Sequence, residues 1–205
     1  MTVKLYYSKG ACSLVVRIIL NELGIEFQDE AVDLKEKKTA RGEDFLSINP
    51  KGAVPVLVLD NGDVITENQV ILQYLADTAS AQELLAPVGD LKRYHTLEWL
   101  NYMAAELHKS LSLFFVPGVS DEFKANVLIP MIQKKFSYID KHLSHNTYLM
   151  GKHFTLPDAY LFVMTLWTHY FKLDLSAYTH LTKYIGFIQT RPAVIKSLQQ
   201  EELGG

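Results

Sequence analysis

Apolar and polar positions alternate almost from the start of the chain. Val3-Lys4-Leu5-Tyr6-Tyr7 alternates in β-forming residues, which predicts a first strand. Gly10 and Ala11 make a turn, after which residues 13–23 read as a buried helix stopped by Gly24. Residues 26–34 predict a second strand, completing a βαβ unit with a short crossover. The charged, partly helical stretch 35–49 ends at Asn49-Pro50-Lys51-Gly52. Strands predicted over 54–59 and 64–66 flank Asp60-Asn61-Gly62-Asp63, whose Asn-Gly pair is a strong hairpin signal. A helix over 68–76 closes the order β-α-β-α-β-β-α, that of a compact α/β domain.

The pattern then changes. Residues 79–90 hold Pro87 and Gly89 without periodicity and predict a linker. Beyond residue 91 no strand pattern stands out. Leu97, Leu100, Ala104, Leu107 and Leu111 recur at three- and four-residue steps, which predicts one helical stripe. Further helices are predicted over 122–143, 156–171, 175–191 and 193–203. The expected architecture is an α/β domain over 1–79 and an all-α domain over 90–205.

Composition narrows the function classes. The 205 residues, 48% of them apolar, suffice for one large core or two small ones. A formal charge of −3 argues against a nucleic-acid surface, and Lys35-Glu36-Lys37-Lys38 reads as a solvated loop. The one cysteine, Cys12, excludes an internal disulfide and two-cysteine metal motifs. The seven histidines lack paired spacing with acids, so no metal is expected. The opening residues pass directly into strand sequence and read as carrying no secretory signal. The most apolar later stretch, 160–167, is too short to span a bilayer, so no membrane association is expected. A cytoplasmic protein of a reducing compartment fits best.

Four places carry candidate chemistry. Cys12 lies between the first strand and the first helix, where unpaired N–H groups and the macrodipole favour thiolate. A lone cysteine more often serves as a small buried hydrophobe, but this position favours a functional role. Pro55 interrupts an apolar strand and removes a ladder donor. A cis Val54–Pro55 bond would turn the Val54 N–H and C=O outward toward an extended peptide, whereas a trans edge-strand proline is the commoner case. Asn68 caps the next helix, whose N-terminus suits a carboxylate, and Glu67 adds an acceptor for an ammonium; a plain helix cap explains most of this pair. Asn101 and His108, seven apart, fall on one helical face beside the leucine stripe, although a lone histidine there is usually structural. Tyr160, Met164 and Trp167 also share a face, either as core or against an apolar co-substrate. Thr155 and Asp158 have the spacing of a helix cap.

Taken in order, these segments resemble the glutathione S-transferase family, most closely its bacterial beta class. The resemblance runs through Tyr7-Ser8-Lys9-Gly10-Ala11-Cys12-Ser13-Leu14, Asn49-Pro50-Lys51-Gly52-Ala53-Val54-Pro55, Gln73-Tyr74-Leu75-Ala76-Asp77, Glu98-Trp99-Leu100-Asn101-Tyr102, Glu106-Leu107-His108-Lys109 and Asp158-Ala159-Tyr160-Leu161-Phe162. It implies a thioredoxin-like N-terminal domain, an all-α C-terminal domain, glutathione as co-substrate and a homodimer. It further implies that Cys12 meets the glutathione sulfur and that Val54, ahead of a cis Pro55, pairs with the cysteinyl backbone. Glu67 and Asn68 would hold the γ-glutamyl end, with Lys37 toward the glycyl end. Asn101 and the turn from Ala105 through Glu106 to His108 would face the thiol, and Tyr160 and Trp167 would line the electrophile pocket. Asn68 stands where the family most often has Ser; it keeps an acceptor and adds donors.

Three functions are then in play. The first is attack by glutathione thiolate on a hydrophobic electrophile, as in detoxification, with the first helix's N-terminus and His108 lowering the thiol pKa. Tyr7 and Ser13 rival Cys12 as activators, because other classes of the family use a Tyr or Ser near the first strand. The second is glutathione-dependent thiol–disulfide exchange through Cys12, with glutathione resolving the mixed disulfide. The third is a non-catalytic scaffold keeping the fold.

Overall fold

The computed structural model describes residues 2–203. They pack as two compact units: residues 2–81 together with 191–203, and residues 82–190.

The first unit is a five-stranded mixed sheet in the order β3-β2-β1-β4-β5. β1 (Val3–Tyr7) runs parallel to β2 (Phe27–Asp33) and antiparallel to β4 (Val56–Val58), which continues through the Asn61-Gly62 hairpin into β5 (Val64–Thr66). The crossover helix α1 (Leu14–Glu22) is buried from Leu14 to Leu20. With β1, α1, β2 and α3 (Asn68–Thr78), it gives the unit its thioredoxin-like form. Two features depart from the expected pattern. A two-residue strand β3 (Lys38–Thr39) pairs with Val32 and Asp33, and α2 is a single turn (Phe45–Ile48). The fourth strand begins only after Pro55, whose missing N–H keeps it out of the ladder.

In the second unit α4 (Leu91–Asn101) runs through a π-helical stretch, Tyr102–His108, into α5 (Lys109–Ser112) and a 3₁₀ turn, Leu113–Phe115. α6 (Asp121–Phe123) likewise passes through a π stretch, Lys124–Leu128, into α7 (Ile129–Leu143). Pro130 stands in the first turn of α7, where it lacks the N–H for an ordinary i→i−4 bond; the wider turn just before it accommodates that loss. α8 (Leu156–Tyr170) is buried over most of its length, and α9 (Thr179–Gln189) follows. The capping box expected at Thr155 and Asp158 is formed. Asp158, wholly buried, accepts from Leu149 N–H, both donors of Thr155 and the Tyr184 hydroxyl, at 2.7 to 2.9 Å.

The helices expected over 90–205 therefore serve both units. α10 (Pro192–Gln200) packs on α1 of the first. Asn21 Nδ2 donates to Ser197 Oγ and Gln200 Oε1, each at 2.8 Å, and Arg191 pairs with Glu22. An amphipathic pattern reveals that a helix has an apolar partner, but not which one. Among the described residues no helix is long and apolar enough to cross a membrane.

Candidate functional site

Within the first unit, a chain of contacts links the loops that hold the candidate residues. Cys12 lies half-buried in the loop between β1 and α1, two residues before the helix begins. Its thiol donates to the Val54 carbonyl oxygen at 3.4 Å, and the Val54–Pro55 bond is cis. The bond thus has the cis form weighed from the sequence, and the Val54 C=O takes the weak thiol donor on one of its two lone pairs.

The segment leading to Val54 is shaped by Asn49 and Gly52. Buried Asn49 donates from Nδ2 to the Ala53 carbonyl at 2.7 Å and accepts from Lys51 N–H at 3.2 Å. Lys37, itself at φ +55, reaches across to donate from Nζ to the Gly52 carbonyl at 2.8 Å. Gly52 has φ +60, which calls for glycine; a Cβ there would lie 3.1 Å from Leu46 Cδ2 and 3.3 Å from Lys37 Cε, side-chain ends that would have to shift slightly.

The same segment reaches the start of α3. Lys51 Nζ donates to Thr66 Oγ1 at 2.7 Å and pairs closely with Glu67. Glu67 holds φ +74, a strained conformation for a residue with a Cβ, and stands at the N-cap position without using its side chain to cap. Asn68 is buried, and among the described residues its Oδ1 has no hydrogen-bond partner. An orphaned buried acceptor is costly unless a ligand or water supplies a donor. Asn68 is thus not the expected cap, a position that Glu67 holds; it is the first residue of α3.

The two rivals to Cys12 are otherwise engaged. Ser13 Oγ accepts from Ser8 N–H at 3.2 Å and donates to the Ser8 carbonyl at 3.3 Å, closing the loop. It occupies the N-cap position of α1 but does not cap with its side chain. Burial and the nearby Asp29 carboxylate push the Tyr7 phenol above its ordinary pKa, outweighing Arg17, which lies 4.3 Å from the ring centroid. That opposes a phenolate.

In the second unit His108 ends the π stretch, with Nδ1 2.7 Å from the Tyr160 hydroxyl and its ring edge-on to Trp167 at 4.9 Å. Tyr160, Met164 and Trp167 are all buried. Trp167 in turn meets Phe115, which packs with Tyr170 and Phe171, while Phe114 stacks on Phe171. Asn101 and Ala105 are exposed, and Glu106 pairs with Lys135. Asn101 and His108 do not share the expected face, because the wide turns between them break the 3.6-residue period that seven-residue spacing assumes. Burial, Tyr138 and Glu106 together lift the Tyr102 phenol to about 12.

Reasoning from sequence missed Lys51 and Asn49, which fix the loop around the candidate site. Both lie in Asn49-Pro50-Lys51-Gly52, so that run was the available signal.

Comparison with known proteins covers both units. Residues 10–78 match the family model for the glutathione S-transferase N-terminal domain, and residues 102–192 that for the C-terminal domain. The chain is 42% identical over 200 residues to the glutathione S-transferase GstA of Escherichia coli O157:H7, covering 98% of this chain and 99% of that relative. A glutathione transferase from Methylococcus capsulatus str. Bath superposes with a TM-score of 0.95 at 42% identity, over 98% of this chain and 100% of that one. A sphingomonad glutathione S-transferase complexed with glutathione gives 0.93, with the same identity and coverage.

Proposed function

The chain belongs to the glutathione S-transferase family, and we propose that it joins the glutathione thiolate to hydrophobic electrophiles in a detoxifying role, with glutathione as co-substrate. The observation that carries this reading is the Cys12 thiol bound to the Val54 carbonyl on a loop that also reaches Glu67 and the orphaned Asn68 Oδ1. Relatives that bear transferase names favour conjugation over thiol–disulfide exchange.

In this reading the γ-glutamyl ammonium donates to Glu67 and to Asn68 Oδ1, and the carboxylate beside it takes N–H groups at the start of α3. The cysteinyl backbone pairs with Val54, ahead of Pro55, and Lys37 faces the glycyl carboxylate. Cys12 exchanges its bond to the Val54 carbonyl for one to the ligand sulfur, stabilising the thiolate as a donor. His108 adds positive potential, and the thiol proton leaves to solvent. The sulfur then forms its bond to the electrophilic carbon, and the leaving group departs with the electron pair of the bond that breaks. Asn101, Ala105 and Glu106 are assigned to glutathione, and Tyr160 and Trp167 to the electrophile. A cytoplasmic homodimer completes the proposal.

The test is calorimetric titration with glutathione together with conjugation to a chlorodinitrobenzene. Saturable binding and a rate well above that of free glutathione are expected. Neither heat of binding nor acceleration would return the chain to the scaffold reading.

A further inference from the structure

The second unit holds a cavity that the proposed chemistry does not use. It is formed by the segment ahead of α4, the first two turns of α4 and the loop ahead of α8, and measures about 330 Å³. Of the residues that line it, Leu84, Thr96 and Thr155 are buried. Backbone contacts fix its walls. Leu156 N–H donates to the Leu84 carbonyl at 3.4 Å, and Arg93 Nη1 to the Ala86 carbonyl at 3.1 Å. Tyr148 and Gly151 exchange N–H bonds at 2.9 and 3.0 Å just before the lining residues of the α8 loop. The cavity is therefore built into the fold of this unit.

The two threonine hydroxyls have already spent their protons. Thr96 Oγ1 donates to the Lys92 carbonyl at 2.9 Å, and Thr155 Oγ1 to Asp158 at 2.7 Å. The charged groups are in the opposite condition. Glu83 and Lys92 both line the cavity, and among the described residues neither side chain has a hydrogen bond or an ion pair. Their charges sum to zero, so a simple anion or cation attracted by one is repelled by the other. A molecule carrying both an ammonium and a carboxylate is attracted by both. Leu84 and Met150 add apolar lining, and ligand cavities begin at about 300 Å³, so the volume suits one small molecule. We propose that this cavity binds an α-amino acid with an apolar side chain. Its carboxylate meets Lys92, its ammonium meets Glu83, and its side chain packs on Leu84 and Met150.

The test uses the full chain with isotope-labelled methionine methyl groups, titrated with L-phenylalanine at neutral pH. The Met150 resonance is assigned by its loss in Met150→Leu. It reports this cavity and not the proposed glutathione seat at Glu67 and Asn68, which lies in the first unit. Saturable movement of that resonance is expected. Hydrocinnamate lacks the ammonium and phenethylamine lacks the carboxylate, so each should bind about tenfold more weakly. Lys92→Ala should weaken L-phenylalanine about tenfold and leave phenethylamine unchanged. Glu83→Gln should weaken it about as much and leave hydrocinnamate unchanged. Both side chains are exposed, so both variants should keep the wild-type melting temperature and conjugation rate. A Met150 resonance that never moves overturns the proposal. So does hydrocinnamate binding as tightly as L-phenylalanine, which would make this an anion site, or full affinity in either variant.

Discussion

His108 Nδ1 lies 2.7 Å from the Tyr160 hydroxyl, at the end of a π-helical stretch that turns the imidazole toward α8. The phenol thus orients the imidazole. Tyr160→Phe should lower kcat severalfold while the fold holds to within about 1.5 kcal/mol, the usual worth of one hydrogen bond. Combining it with His108→Ala should cost less than the sum of the two single losses, because the phenol orients the imidazole besides lining the electrophile pocket. Steady-state rates for the two single variants and the double variant check this. Additive losses would mean that the phenol serves the electrophile pocket alone and does not orient the imidazole.

Cys12→Ala removes the donor to the Val54 carbonyl but leaves the rest of the loop in place. Conjugation should persist within about tenfold, the scale of one hydrogen bond to a charged group. Reduction of mixed glutathione disulfides should vanish, since the chain has no other thiol. Parallel assays of the two reactions separate the roles.

Lys51 holds Glu67 and Thr66 without belonging to the α3 helix. Lys51→Ala should raise KM for glutathione about tenfold, with kcat nearly unchanged, because binding is lost equally in ground and transition states. A fall in kcat at constant KM would contradict this.

Asp158→Ala strips the side-chain acceptor from Leu149 N–H and both donors of Thr155 inside the second unit, while the Tyr184 hydroxyl keeps the backbone carbonyl of residue 158. A loss of about 3 kcal/mol or more is expected, read as a lower denaturation midpoint. Thr155→Ala, which removes only one of those donors, should cost less.

Burial pushes the Glu201 carboxyl above its ordinary pKa, against the donors Gly10 and Arg17. The folded state therefore holds that proton more tightly than the unfolded chain. Glu201's contribution to stability is largest below the ordinary carboxylate range and declines as pH rises through the raised value. Asp33 and Asp174, lowered by backbone N–H groups, contribute in the opposite sense. The difference between wild type and Glu201→Gln isolates the effect. Measured by denaturant titration from acid to neutral pH, it should shift against wild type as pH rises.

Much of the fold was legible where a local pattern decides it. Alternation located β1, Asn61-Gly62 located the hairpin, and Thr155 with Asp158 marked the start of α8. β3 was not legible, because two residues pair only once the loop between them and β2 has closed. Neither π stretch was legible, since a reading based on 3.6 residues per turn assumes they are absent. At the site, the Cys12 and Val54–Pro55 segments were conspicuous in sequence. The Glu67–Lys51 pair and the Gly10–Glu201 bond were not, because each joins residues that only tertiary folding brings together.

The wide turns between Tyr102 and His108 also act as a phase adjuster between two helical halves. Each α-helical residue advances the chain by about 100°. A π stretch holds about one residue more than the α-helix of equal rotation, so removing one residue would restore ordinary winding and leave everything after it nearly in phase. His108 would then keep its bearing toward Tyr160 and Trp167, whereas a one-residue deletion in the ordinary turns of α4 behaves as a rotation of the downstream helix.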